Sequence, residues 1–116
     1  MSTIVQHMKE CSLVLMKGHI EEPDCAFLEN VLLAASLSRN KSIWVDCENV
    51  TSVSFKALRK LLSLSNEATS EGVNLLFFEM TPSVKKAIKV SRMEAVLHVV
   101  PSIADASRYC RNKRKG

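Results

Sequence analysis

Residues 73–79, Val-Asn-Leu-Leu-Phe-Phe-Glu, carry apolar side chains on both alternating faces. A strand of that kind belongs inside a largely parallel sheet with helices packed over it. The rest of the chain supplies the matching parts. Residues 4–8 and 11–16 are β-rich runs parted by the polar pair Lys9-Glu10, residues 41–47 (KSIWVDC) form a short apolar run, and residues 95–100 (AVLHVV) give a last strand. Segments of helical spacing lie between these strands. Pro23 suits a first helical turn, with Glu21, Glu22 and Asp24 at its positive end. Leu28, Val31, Leu32 and Ala35 then recur along about four turns. Leu58, Leu61, Leu62, Ser65 and Ala68 make a second stripe, and Gly72 is placed to end it in a left-handed conformation. Thr81-Pro82 opens a third helix with Val84, Ala87 and Ile88 inward and Lys85, Lys86, Lys89 and Arg92 outward. Ser102 and Asp105 stand in capping-box spacing before a last helix. The predicted order is β-β-α-β-α-β-α-β-α, an α/β domain with a mixed, mostly parallel sheet wound by right-handed crossovers.

A chain of 116 residues is one domain, and 47% hydrophobic residues suffice for its core. The longest apolar run is about five residues, against the roughly 20 that a membrane span needs. The first ten residues lack the basic start and apolar middle of a secretion signal, so a cytoplasmic location is expected. Cys11, Cys25, Cys47 and Cys110 form no C-x-x-C pair, and His7, His19 and His98 no H-x-x-x-H. Neither zinc nor redox chemistry is expected, and the cysteines read as small apolar residues. Gly18, Gly72 and Gly116 do not cluster into a phosphate-binding loop, so no cofactor is expected. The net charge of +4 is local: Arg108, Arg111, Lys113, Arg114 and Lys115 supply five of 16 basic residues, leaving 11 against 12 acids. We therefore divide the chain into a domain, residues 1–110, and a basic tail, residues 111–116. The tail has no interleaved aromatics, so nucleic acid is not an expected partner.

Chemistry concentrates where the third strand meets the second long helix, CENVTSVSFKALRK, residues 47–60. Thr51 and Ser52 read as turn residues, and Ser54 as the cap whose hydroxyl meets the N–H of Lys56 or Ala57. A helix start also suits a phosphate, so Ser54 is a candidate for modification as well. No G-x-S-x-G elbow surrounds any serine. Asp46 reads as the polar end of a strand, since the pair of acids that a phosphoacceptor aspartate needs beside it is missing. Catalysis is not expected. Lys56, Arg59 and Lys60 make this helix start basic, which opposes the helix dipole by a few tenths of a kcal/mol each. An acidic partner surface would account for them, extended by Lys85 and Lys89 of the next helix. Phe55 either projects outward as an anchor in that surface or shares the core with Leu58 and Leu62; the common spacing favours the core.

From about residue 4 to 109 the sequence resembles a STAS domain of the type found in bacterial anti-sigma factor antagonists. The resemblance rests on Gly18-His19-Ile20-Glu21 as a loose form of the family's G-E-[LIV]-D turn, on IWVDCENVTSVSFKAL and GVNLLFF, and on the closing TPSVKKAIKVSRMEAVLHVVPSIADA. It implies a module that binds a protein partner, an anti-sigma factor or serine kinase, in the regulation of transcription. It also implies a D-S-[ST]-G motif whose hydroxyl accepts phosphate, and here the sequence departs. Ser54 falls at the aspartate, Phe55 at the first hydroxyl, Lys56 at the usual acceptor and Ala57 at the glycine; Leu58 alone keeps its type. Ser54 is left as cap or displaced acceptor. The implied partner-binding residues are Glu21, Ser52, Ser54, Phe55, Lys56, Arg59 and Lys60. The alternative is a STAS subunit that braces the ATPase of an ABC-type lipid transport complex.

Overall fold

The computed structural model describes residues 3–7, 11–38, 41–90 and 97–108. Strand β1 (Thr3–His7) runs antiparallel to β2 (Ser12–Ile20). A one-turn 3-10 helix (Glu22–Cys25) leads into α1 (Ala26–Ser36), followed by β3 (Ser42–Val53), α2 (Phe55–Ser70), β4 (Asn74–Phe78), α3 (Pro82–Val90) and β5 (His98–Val100). Residues 103–108 are helical. The expected order of elements therefore holds. Lys9-Glu10, Arg39, Arg92, Cys110 and the basic tail lie outside the described residues.

The five strands stand in sequence order, and β2, β3, β4 and β5 are mutually parallel. Each crossover steps the same way along the sheet, so the right-handed rule puts α1, α2 and α3 on one face. That face holds the main core: Val14 and Met16 of β2, Ile43 and Val45 of β3, and Leu75 and Phe77 of β4, packed under Leu28, Leu32, Leu58, Leu61, Leu64, Val84 and Ile88. The alternate residues Trp44, Leu76 and Phe78 form a second, smaller cluster with Cys11 and with Ala106 of the last helix. The apolar-on-both-faces pattern of β4 thus has the meaning read from it. Both packed layers use it.

Two features differ from expectation. Strand β3 continues to Val53 and β2 to Ile20, so Thr51 and Ser52 are strand residues and Asp46 lies mid-strand rather than at an end. The pairing explains why. Nine residues of β2, Ser12 to Ile20, face eleven of β3, Ile43 to Val53, with irregularities at Leu15/Lys17 and Gly18/His19. Each accommodates one extra β3 residue, as a bulge does. Asp46 accepts the backbone N–H of Glu48 at 3.0 Å at the first bulge, and Gly18 takes φ 82° at the second. The ladder is thereby able to run on through a polar stretch.

Helix α2 ends as the sequence suggests. Gly72 adopts φ 70°, its N–H donates to Thr69 O at 3.2 Å, and the Val73 N–H donates to Ala68 O at 2.8 Å. This is the paired-bond stop that a glycine in the left-handed region permits. At the far end of the chain, the Asp105 N–H donates to Ser102 Oγ at 3.4 Å and the Ser102 hydroxyl donates to Asp105 Oδ2 at 2.7 Å. Ser102 is therefore the cap of the last helix.

Candidate functional site

The site is built where the C-terminal ends of β2 and β3 meet the start of α2. The Ser54 N–H donates to Ile20 O at 2.9 Å, which fastens the junction to the end of β2. Ser54 is extended (φ −67°, ψ 159°) and its Oγ accepts the Ala57 N–H at 3.1 Å. Of the two N–H groups expected to meet it, Ala57 is the one. The first turn of α2 contains no acid. Lys56 stands exposed there, so one positive side chain sits at the positive end of the dipole.

Phe55 is not in the core. It is 62% exposed, which overturns the expectation drawn from its spacing with Leu58 and Leu62. The phase of the helix gives the reason. The buried stripe of α2 (Ala57, Leu58, Leu61, Leu64, Ser65, Ala68) centres on Leu61. At 3.6 residues per turn Phe55 lies about 120° from that centre, and Leu62, about 100° away, is only half-buried. The Arg59 guanidinium lies 6.0 Å from the Phe55 ring centroid, over its face. The aromatic ring and the charge thus form one exposed unit.

Lys60 is turned the other way. Its Nζ is 3.0 Å from Glu29 Oε2 of α1, and that hydrogen-bonded carboxylate raises the Lys60 pKa. The pair joins α1 to α2, and Lys60 is committed to it. The expected extension through Lys85 and Lys89 is also corrected. Those two side chains line a shallow recess with Met80, Ile88 and Val99, toward β5. On the α2 side it is Lys86 that comes close, with Ser83, Ala87 and Val90 of α3 facing Val53, Phe55 and Leu58. Residues i and i+4 share a helix face, so 85 and 89 go one way and 86 and 90 the other.

Ser52 and Glu21 are brought together by His19, a residue of the Gly18–Glu21 turn that is not among the implied partner-binding residues. His19 pairs with Ser52 across the β2–β3 ladder. Its Nδ1 is 2.5 Å from Ser52 Oγ and its Nε2 is 2.6 Å from Glu21 Oε1. An ionised carboxylate only accepts, so Nε2–H donates to Glu21; on a neutral ring Nδ1 then accepts the Ser52 hydroxyl proton. Glu21 in turn receives order from Asp24, whose Oδ2 accepts the Glu21 N–H at 2.8 Å. The order hydroxyl, imidazole, carboxylate is that of a proton relay. Here it lies open to solvent, with the His19 and Glu21 side chains about half exposed, and its contact with β3 is the His19–Ser52 hydrogen bond. The signal in the sequence is the i, i+2 spacing of His19 and Glu21, which shares one face where the chain stays extended past the end of β2. The register that adds Ser52 is not visible there.

Two of the described thiols, Cys25 and Cys47, are shielded and held protonated by burial. Cys11, Cys25 and Cys47 are buried. Burial pushes Cys25 up to about 11 and Cys47 up to about 12, so both are neutral thiols at physiological pH. Cys25 Sγ lies 4.0 Å from Ala57 O, so the 3-10 turn packs under the start of α2. Among the described residues, no group of three or more His, Cys, Asp or Glu side chains is placed to hold a metal ion. No helix among them is long and apolar enough to cross a membrane.

The domain is thus a sheet in sequence order with three helices on one face and a capped, exposed helix start at the ends of β2 and β3. The chain belongs to the STAS family: the family model described as "Mlab, STAS domain" matches residues 4–101. Solved structures agree on the fold. An anti-sigma factor antagonist from Mycobacterium paratuberculosis is similar with TM-score 0.76 at 18% identity, covering 95% of this chain and 93% of that one. The Bacillus antagonist SpoIIAA in its unphosphorylated form gives 0.74 at 12% identity, with 96% and 97% covered. The murine Solute Carrier 26 family member A9 anion transporter gives 0.69 at 19% identity, with 92% of this chain matched to 18% of that one. No curated protein sequence matches this chain.

Proposed function

We propose that this chain is a non-catalytic docking domain of the cytoplasm, a regulatory protein of the anti-sigma factor antagonist type that works without phosphorylation at the usual position. Its partner is a protein with an acidic surface, an anti-sigma factor or serine kinase. The docking face is the stretch from Ser52 to Arg59 with Glu21 beside it. One observation carries this reading: Phe55 stands 62% exposed under Arg59, with Lys56 exposed beside it. Neither feature is required by the packing of α2, since the charge opposes the dipole and the ring is outside the core. Both suit an anchor with a charged rim.

SpoIIAA, whose fold this chain shares, has been solved in unphosphorylated and phosphorylated forms. Position 56 here has an ammonium group where a hydroxyl would be phosphorylated, and its charge is opposite to that of a phosphate. Ser54 is the candidate for any displaced modification, but its Oγ is engaged as a cap. On our reading the face is therefore constitutive, with partner choice set by surface charge. A second reading uses the same feature. A STAS subunit bracing the ATPase of an ABC-type lipid transport complex would need a permanent contact and no phosphoacceptor.

The test is capture from native lysate with the wild type and Lys56→Glu side by side, read by mass spectrometry. A specific partner lost in the variant supports docking on this helix start, and its identity separates the two readings. Equal retention by both proteins refutes the face.

A further inference from the structure

Between α2 and α3 an open groove of about 420 Å³ runs beside the docking face. Leu58 is buried in its floor and Val53 and Ala87 are half-buried there, while Phe55 (62% exposed) and Val90 (74% exposed) stand up from its sides. Lys86 lines it as well. Large apolar side chains scattered singly over a domain surface are ordinary, but two flanking one apolar floor make a continuous surface.

Among the described residues that line this groove the charged one, Lys86, is basic. Helix α3 carries Lys85, Lys86 and Lys89 and no acid. Helix α2 carries Lys56, Arg59 and Lys60, and its acid, Glu67, comes two turns after Lys60. Lys60 is neutralised by Glu29. Lys86 lines the groove, Arg59 lies over the ring of Phe55 at its side, and Lys56 is exposed in the same first turn of α2. Basic residues flanking an apolar channel between two helices complement a ligand with the reverse pattern.

Resting on the docking face proposed above, we infer that the α2–α3 groove receives one acidic amphipathic helix of a partner protein. Its apolar side chains, at i, i+3, i+4 and i+7, lie along Val53, Leu58 and Ala87 between Phe55 and Val90. Its carboxylates meet Lys56, Arg59 and Lys86. A helix fits better than an extended segment because the groove exposes helix side chains and no free strand edge; backbone pairing, the main attraction for a strand, is not offered there.

The probe is a synthetic peptide with Leu at i, i+3, i+4 and i+7 and mainly Glu elsewhere. Two controls accompany it: the same peptide with Lys for Glu, and one of identical composition with the Leu positions scrambled. Binding to the full chain is followed by fluorescence anisotropy and by amide chemical shifts. The acidic peptide is expected to bind, to shift amides within residues 53–59 and 83–90, and to weaken as salt is added. Lys86→Glu and Val90→Asp, both exposed substitutions, are expected to reduce affinity about tenfold or more each. Equal binding by the basic or scrambled peptide overturns the inference. So do shifts confined to other surfaces, or a second copy of this chain occupying the groove at micromolar concentration. The two proposals fail separately. A captured partner that is lost with Lys56→Glu but kept with Val90→Asp leaves the docking face standing and removes the groove.

Discussion

On the docking face proposed above Phe55 is kept for a partner and Leu58 for the fold, and replacing each by alanine, one at a time, tests that division. Leu58 is 3% exposed in the main core, and emptying such a position costs about 2–5 kcal/mol. Phe55 retains only roughly two-fifths of its surface against the protein, so its burial contributes about 1 kcal/mol. Its contact with Arg59 adds about 0.5 kcal/mol, which the better helix propensity of alanine largely offsets. Phe55→Ala is therefore expected to cost about 1 kcal/mol or less. For a domain of 116 residues each kcal/mol shifts the melting temperature by about 4 °C. Thermal and urea denaturation followed by circular dichroism should show a loss of at most about 4 °C for Phe55→Ala and about 8–20 °C for Leu58→Ala. Partner capture should show the reverse where folding permits the comparison, with Phe55→Ala the more damaging of two folded proteins. A Phe55→Ala loss as large as that of Leu58→Ala would return Phe55 to the core and refute the reasoning.

Other perturbations have equally definite outcomes. Ser54→Ala removes the 3.1 Å cap and should cost about 1 kcal/mol by urea denaturation, whereas Ser54→Asp, which can still cap and suits the dipole, should retain stability. Ser65 Oγ is buried without a hydrogen-bond partner among the described residues, so Ser65→Ala should be neutral or stabilising by up to about 1 kcal/mol in the same assay. Native protein at pH 7.5 should leave Cys25 and Cys47 unmodified by a thiol-specific disulfide reagent and expose them only on unfolding, as peptide mapping would show. The same two thiols predict an alkaline loss of stability. Their native pKa values, about 11 and about 12, lie above the ordinary 9.0, so the folded state holds protons that the unfolded state releases. That contribution is complete below pH 9 and declines as pH rises toward 11–12. Lys60, raised by Glu29, acts in the same sense. Urea midpoints measured from pH 7.5 to 10.5 should fall, and less steeply in Cys47→Val.

The element order is legible in the sequence because each signal is local. A two-faced apolar run marks β4, a 3.6-residue stripe marks α2, and Gly72 marks its end. Strand β3 reads short because its second half carries the exposed polar residues Glu48, Asn49, Thr51 and Ser52, and pairing with β2 across two bulges, a contact between distant segments, keeps it extended. Phe55 reads as core because its spacing with Leu58 and Leu62 does not fix the phase of a helix in its first turn; the position of the buried stripe does. The site is legible in part. The Ser54 cap needs only a hydroxyl residue directly before a helix-forming run. The association of His19 with Ser52, and of Lys86 rather than Lys85 with the start of α2, depends on strand register and helix rotation. No short stretch of sequence contains either.

The claim that the start of α2 is the working face is tested most directly by amide hydrogen exchange on the full chain, alone and saturated with its captured partner. The account predicts slowed exchange within residues 53–60, joined by residues 83–90. Protection on the outer face of α1, where Phe27, Leu33 and Leu37 are exposed, with residues 53–60 unchanged, would contradict it.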